Sequence, residues 1–86
     1  MPAPERDLKV RQLLVDILEL NVSPEEVSLA ESLFSPLLRV DSLTAVQILI
    51  RLESAFAIEI DEADLVEVGF ESVQNLVDIV SRCVRK

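Results

Sequence analysis

The sequence predicts an all-α fold: a four-helix bundle of three longer helices plus a short third helix, with a long loop between helices one and two. Half of the 86 residues are hydrophobic (50%), yet only 3% are aromatic, which indicates an aliphatic core. One glycine and 28% charged residues are typical of compact helical domains rather than of turn-rich β-sandwiches. This length allows one small domain, so we expect residues 1–86 to form a single unit.

The first and last helices show the clearest amphipathic pattern. The first is predicted from about Glu5 to Leu20, after Pro2 and Pro4, and the last from about Ser72 to Arg85. The inner face of the first helix is predicted to carry Leu13, Leu14, Ile17 and Leu18. The inner face of the last is predicted to carry Val73, Leu76, Val77, Val80 and Val84. Cations at the end of the last helix complement its dipole: Arg82, Arg85 and Lys86.

Helical periodicity is lost between Asn21 and Asp41. Ser23 is predicted to cap a single helical turn that begins at Pro24, with Glu26 three residues beyond the cap. Pro36 breaks any longer helix in the apolar stretch 30–38. Because this long loop is rich in apolar residues, we expect it to pack against the bundle.

The second helix is predicted from about Ser42 to Ala55, followed by a short extended link over residues 57–60. Its anchors are predicted to be Leu43, Val46, Leu49, Ile50 and Phe56. The short third helix is predicted to begin at the cap Asp61, with Asp64 three residues later, and to end near Glu67, before Gly69.

Composition excludes several classes of function. A net charge of −8 repels phosphate backbones and anionic membrane surfaces, so we expect no nucleic-acid binding and instead basic protein partners. The chain has no histidine, which excludes Ser-His and Cys-His catalysis. Its one cysteine, Cys83, allows neither an intrachain disulfide nor a cysteine metal site, and we expect it in the core.

No metal site, signal peptide or membrane span is predicted. The acidic run at Asp61 fails as a calcium loop, because Ala63, Leu65 and Val66 stand where oxygen ligands and a glycine are needed. The stretch 1–9 is polar, and no apolar run approaches the roughly 20 residues that span a bilayer. We therefore expect a cytoplasmic protein.

The stretch LLRVDSLTAV, residues 37–46, places Asp41 and Ser42 among aliphatic residues. Both are favoured helix N-caps, so capping is the simplest interpretation of the pair. The long loop before Ser42 places its hydroxyl at an exposed end of the bundle. Val40 and Leu43 on either side are predicted to clamp the turn into the core and to fix the direction of that hydroxyl.

The continuation of this stretch is more specific than the tripeptide Asp-Ser-Leu. An aliphatic-rich helix leads to Glu53-x-x-Phe56, an Ile58-x-Ile60 link, and the FESVQNLV opening of the last helix. This arrangement resembles the acyl and peptidyl carrier proteins, over nearly the whole chain. The resemblance implies a four-helix fold in which Ser42 carries 4'-phosphopantetheine and Asp41 is its acidic neighbour.

The resemblance also implies the partners. A phosphopantetheinyl transferase would move the arm from coenzyme A to Ser42 with magnesium, and its terminal thiol would hold an acyl or aminoacyl group as a thioester. Loading and condensing enzymes would act on that group, and the protein itself would not be an enzyme. A chain without histidine offers Ser42 no obvious general base, so activation is expected from the transferase.

Two features depart from the family. Arg39 stands where family members commonly have glycine, two residues before the aspartate. The second helix is also neutral, with only Arg51 and Glu53, whereas fatty-acid carriers usually make it acidic. Partner contacts are therefore predicted at mainly apolar positions and at the acidic third helix: Arg39, Leu43, Val46, Gln47, Ile50, Asp61 and Glu62. A solvated face is the alternative interpretation of the acidic residues.

We therefore expect a free-standing, monomeric carrier in a fatty-acid, polyketide or nonribosomal-peptide type of pathway, more specialised than housekeeping. The alternative is a non-catalytic helical adaptor that binds a basic partner, with Ser42 only a helix cap. A small enzyme has little support, because histidine and a metal site are both missing.

Overall fold

The computed structural model describes residues 4–85, so Pro2 and Lys86 lie outside the described residues. The chain forms α1 (Pro4–Leu18), α2 (Ser42–Phe56), α3 (Glu62–Val68) and α4 (Val73–Val84), with a single 3₁₀ turn at Pro24–Glu26. Over this described range there is no strand, only an isolated bridge between Ser32 and Ser72. The predicted all-α fold of three longer helices and a short third one is confirmed.

Left-handed residues end the first two helices. Glu19 has φ 52°, and the Leu20 N–H donates to the Val15 carbonyl at 3.0 Å, so α1 ends at Leu18 rather than at Leu20. Ala57, also with φ 52°, ends α2 in the same way. The predicted extended link over 57–60 is therefore wrong at its first residue.

The core confirms most of the predicted inner faces. Its buried side chains are Val10, Leu13, Leu14, Val27, Leu33, Leu38, Val40, Ile48, Leu52, Val73, Leu76, Val77 and Val80. Cys83 is also buried, as predicted, and Ile79 joins it, while Val84 at the end of α4 is exposed. The buried face of α4 therefore includes Ile79, which the predicted stripe left out, and lacks Val84, which the stripe included.

The prediction for the inner face of α2 is wrong at three of its five anchors, while Phe56 does pack against the core. Ile48 and Leu52 are its buried residues, whereas the predicted anchors Leu43, Val46 and Ile50 are exposed. The error has a physical cause, because α2 carries aliphatic side chains on both faces. Apolar spacing alone cannot tell which of two apolar faces meets the core.

The loop over residues 21–41 packs on the bundle, as predicted. Leu33 is buried, and its backbone N–H donates to the Glu71 carbonyl at 2.8 Å, while the Val73 N–H donates to the Glu31 carbonyl at 3.1 Å. These bonds fasten the loop to the beginning of α4. Ser23 precedes the 3₁₀ turn, but its side chain makes no capping hydrogen bond, so that detail of the prediction is wrong.

A buried polar cluster joins α3 to α4. Asp61 and Asp64 form a reciprocal capping box at the start of α3, which confirms the predicted cap. Asp64 is fully buried, and its carboxylate accepts hydrogen bonds from Arg82 Nε at 2.7 Å and from Cys83 Sγ at 3.3 Å. Arg82 also pairs with Glu67. Arg82 was predicted only to complement the helix dipole, so its role in fixing α3 is a further finding.

Candidate functional site

The start of α2 is organised by Asp41. Its backbone is extended (φ −113°, ψ −176°), and its Oδ1 accepts a hydrogen bond of 2.8 Å from the Thr44 backbone N–H. This hydrogen bond is the main cause that lowers the pKa of Asp41 below its ordinary value of 3.8. Asp41 is therefore the N-cap of α2 and is anionic at neutral pH. The interpretation of Ser42 as the cap is wrong.

Ser42 is the first residue of α2, and its side chain is exposed. Within residues 4–85, no group hydrogen bonds to the Ser42 hydroxyl. A hydroxyl in this position can take a bulky substituent without breaking any bond of the fold. The predicted exposure of this hydroxyl is confirmed.

The clamp that holds this turn differs from the predicted one. Leu38 and Val40 are buried, whereas Leu43 is 71% exposed and does not enter the core. The Val40 N–H donates to the Leu33 carbonyl at 2.9 Å, which fixes the segment just before Asp41. Leu38 and Val40 thus anchor the turn on its N-terminal side, and Leu43 does not take part in the clamp.

Arg39 lies between the two buried residues of this clamp. It is exposed and has φ 53°, in the left-handed region, and its N–H donates to the Ser35 carbonyl at 2.8 Å. A glycine adopts this conformation without strain, whereas a residue with a Cβ loses roughly 1–2 kcal/mol. The backbone shape therefore favours glycine at a position where this chain has an arginine.

The exposed side of α2 carries the remaining predicted partner contacts, and we call Leu43, Val46, Gln47 and Ile50 the α2 stripe. All four side chains are exposed, with Val46 at 52% and Ile50 at 57%. They occur at the i, i+3, i+4 and i+7 positions of one helix face. Gln47 and Ile50 also line a surface groove of about 520 Å³ with Ile17 of α1.

Other exposed apolar side chains were not predicted as contacts. Phe34 and Leu37 in the loop and Val66 on α3 are 57%, 48% and 76% exposed. For Phe34 and Leu37, the sequence indicated only an apolar stretch around Pro36 that could not continue as a helix. Asp61 and Glu62 are exposed at the start of α3, which in the described part of the chain packs against α4 and not against α2, so the structure does not bring them onto the α2 stripe.

The sequence family described as phosphopantetheine attachment site (PP-binding) matches residues 8–80. The match contains α2, α3 and the first eight of the twelve residues of α4, and with them the start of α2 described above. The chain belongs to this family of phosphopantetheine-binding carrier domains. Domains of this family hold 4'-phosphopantetheine covalently, interact with partner enzymes, and are in general not catalysts themselves. The predicted family and cofactor are confirmed.

The start of α2 fits such a group. It presents one exposed hydroxyl with no bond to lose, on a backbone that is fixed by buried neighbours. Among the described residues there is no cluster of three or more His, Cys, Asp or Glu that could hold a metal ion. In that same part of the chain, each helix is too short or too polar to cross a membrane.

Proposed function

We propose that the protein is an acyl or aminoacyl carrier whose phosphopantetheine arm is attached to the hydroxyl of Ser42. The observation that carries this proposal is the exposed, unbonded hydroxyl at the first position of α2, inside the range that matches the family. The arm supplies a terminal thiol on which a cargo is held as a thioester.

The residues of this chain position Ser42 but do not activate it. Asp41 lies next to Ser42, yet its Oδ1 is engaged by the Thr44 N–H and its lowered pKa makes it a poor base. The chain has no histidine. The base that removes the Ser42 proton therefore belongs to a phosphopantetheinyl transferase, and the carrier contributes a fixed and accessible hydroxyl.

The α2 stripe is the proposed docking surface for the transferase and for the enzymes that load and condense the cargo. Glu53, the one acidic residue of α2, accepts a hydrogen bond of 2.8 Å from the Ile60 N–H and so serves the fold. Recognition by α2 then depends on apolar contact, and Asp61 and Glu62 would form a separate acidic contact at the start of α3. This character supports a specialised acyl, polyketide or peptide pathway.

Intact mass tests the attachment. The protein is incubated with coenzyme A, magnesium and a promiscuous transferase, and the same is done with Ser42→Ala and with Ser54→Ala. Ser54 is an exposed serine of the same helix and serves as the matched control. We expect a phosphopantetheine-sized gain in wild type and in Ser54→Ala, and none in Ser42→Ala. No gain with several transferases would favour the helical adaptor instead.

Transferase kinetics test the docking surface. Val46→Asp places a charge in the α2 stripe, and we expect it to raise KM about tenfold, as for the loss of one well-packed interface contact. Ser54→Asp adds the same charge near the far end of α2, eight residues or about 12 Å beyond Val46, and should leave KM within about twofold. Equal effects of both variants would show that net charge, rather than the α2 stripe, controls recognition.

A further inference from the structure

Arg39 has a fixed and strained backbone position. Its φ of 53° lies in the left-handed region, and buried Leu38 and Val40 hold the chain on either side. Strained backbone conformations persist where the surrounding structure imposes them and are concentrated at functional positions. Two other non-glycine residues of the described chain share this conformation at helix ends, so the backbone alone assigns no role. Arg39 is distinguished from them by lying three residues before Ser42.

The guanidinium of Arg39 has no ionic partner in the described part of the chain. The three ion pairs among residues 4–85 involve Arg11 and Arg82, and Arg39 takes part in none of them. The nearest carboxylate in sequence, Asp41, instead accepts the Thr44 N–H. Arg39 is thus an exposed cation next to a site at which the family carries a phosphate ester.

Loading changes the charges around this cation. An arm on Ser42 begins with an anionic phosphodiester, which would stand directly beside the anionic Asp41. The sequence has no Lys or Arg between Arg39 and Arg51 that could offset the two negative charges. Arg51 follows Ser42 by nine residues on α2. Nine helical residues correspond to about 14 Å, beyond the reach of direct contact.

Arg39 is within reach of that phosphodiester. Three peptide steps separate its Cα from that of Ser42 by at most about 11 Å. An extended arginine side chain and a phosphate on a serine together cover this span. Arginine is also well suited to the task, because its planar guanidinium donates two parallel hydrogen bonds to phosphate oxygens.

We propose that the Arg39 guanidinium binds the phosphodiester of the arm on Ser42 and so orients the first bonds of the arm. The inference rests on the proposed attachment at Ser42. The pair is intramolecular and exposed, so it is weakened by salt and is formed in the loaded protein without any partner enzyme.

Nuclear magnetic resonance of the loaded protein alone tests the pair. The arm is added to wild type, to Arg39→Gln and to the matched control Arg51→Gln, and intact mass first verifies loading. The ³¹P signal of the phosphodiester is then followed from about 0.01 M to about 1 M salt, over which the Debye length falls from about 30 Å to about 3 Å. In wild type and Arg51→Gln we expect a salt-dependent shift of the signal, and in Arg39→Gln its loss.

A second readout observes the arginine itself. Solvent exchange of the Arg39 Nε–H should slow about twofold on loading, as for an exposed pair formed about half of the time. Full loading with identical ³¹P signals in wild type and Arg39→Gln would overturn this inference and leave the proposed function intact. An Arg39→Gln variant that changed only the transferase KM would also overturn it, since Arg39 would then contact a partner. Absence of loading would instead remove the proposed function.

Discussion

The helices α2 and α3 both begin at an aspartate N-cap, but the polar groups around the two caps differ in their accessibility. At α3, Asp61 and Asp64 cap each other's backbone N–H groups, and Asp64 is buried with bonds to Arg82 and Cys83. At α2, Asp41 caps alone, and both Ser42 and the cation of Arg39 face solvent. At α3 the polar side chains hydrogen bond within the fold. At α2 the hydroxyl of Ser42 and the guanidinium of Arg39 remain accessible, which is the physical basis for proposing the attachment site there.

The largest change in stability is expected when the buried carboxylate of Asp64 is removed. We expect Asp64→Ala to lower the free energy of unfolding by about 3 kcal/mol, because it removes several hydrogen bonds and half of a capping box. Urea unfolding measures the change. Asp78, which is exposed on α4, provides a control, and Asp78→Ala should change stability by less than about 0.5 kcal/mol. Similar losses in both variants would contradict a closed cluster at α3.

The cap of α2 should matter less, and its contribution should depend on pH. We expect Asp41→Ala to lower the melting temperature by about 5 °C at neutral pH, the cost of one helix cap. Because the folded pKa of Asp41 is lowered, its contribution is present above the ordinary value of 3.8 and is lost as pH falls through the lower folded value.

Thermal melts from neutral to acid pH check this sign. Asp41→Asn keeps a capping oxygen without the charge and should retain most of the stability, with no pH dependence from this position. If the difference in melting temperature between wild type and Asp41→Ala grew as pH fell, it would contradict a lowered pKa of Asp41 in the folded protein.

A smaller effect, of opposite sign, is expected where the backbone is left-handed. Arg39→Gly and Ala57→Gly should each raise the free energy of unfolding by about 0.5–1 kcal/mol, because glycine adopts this conformation without strain. Ala45→Gly, inside α2, should lower it by about 1 kcal/mol. A loss of stability in Arg39→Gly would indicate that its side chain packs on the loop instead of serving the site.

The smallest effect on folding is expected at the proposed attachment site. Ser42→Ala should change the free energy of unfolding by less than about 0.5 kcal/mol, because Asp41 is the cap and the Ser42 hydroxyl makes no bond in the fold. Urea unfolding of the variant checks this value. A loss above about 1 kcal/mol would restore Ser42 as a structural cap.

The number and order of the helices, and the position of Ser42 at the start of α2, could be predicted from the sequence, because capping residues and helical spacing are local signals. The packed face of α2 could not, since Leu43, Val46 and Ile50 look as apolar as Ile48 and Leu52. Burial of Asp64 was also missed: its partners Arg82 and Cys83 are far along the chain, and an acidic residue in an acidic run resembles a solvated one. The left-handed backbone at Arg39 was hidden because arginine rarely adopts it.

The central claim is that the unbonded hydroxyl at the start of α2 carries the arm. Fragment-ion mass spectrometry of proteolytic peptides from the loaded protein tests it most directly, because the chain contains other exposed serines such as Ser54. We predict that every modified peptide contains Ser42 and that the added mass maps to that residue. Loading at full yield on another residue would contradict the claim.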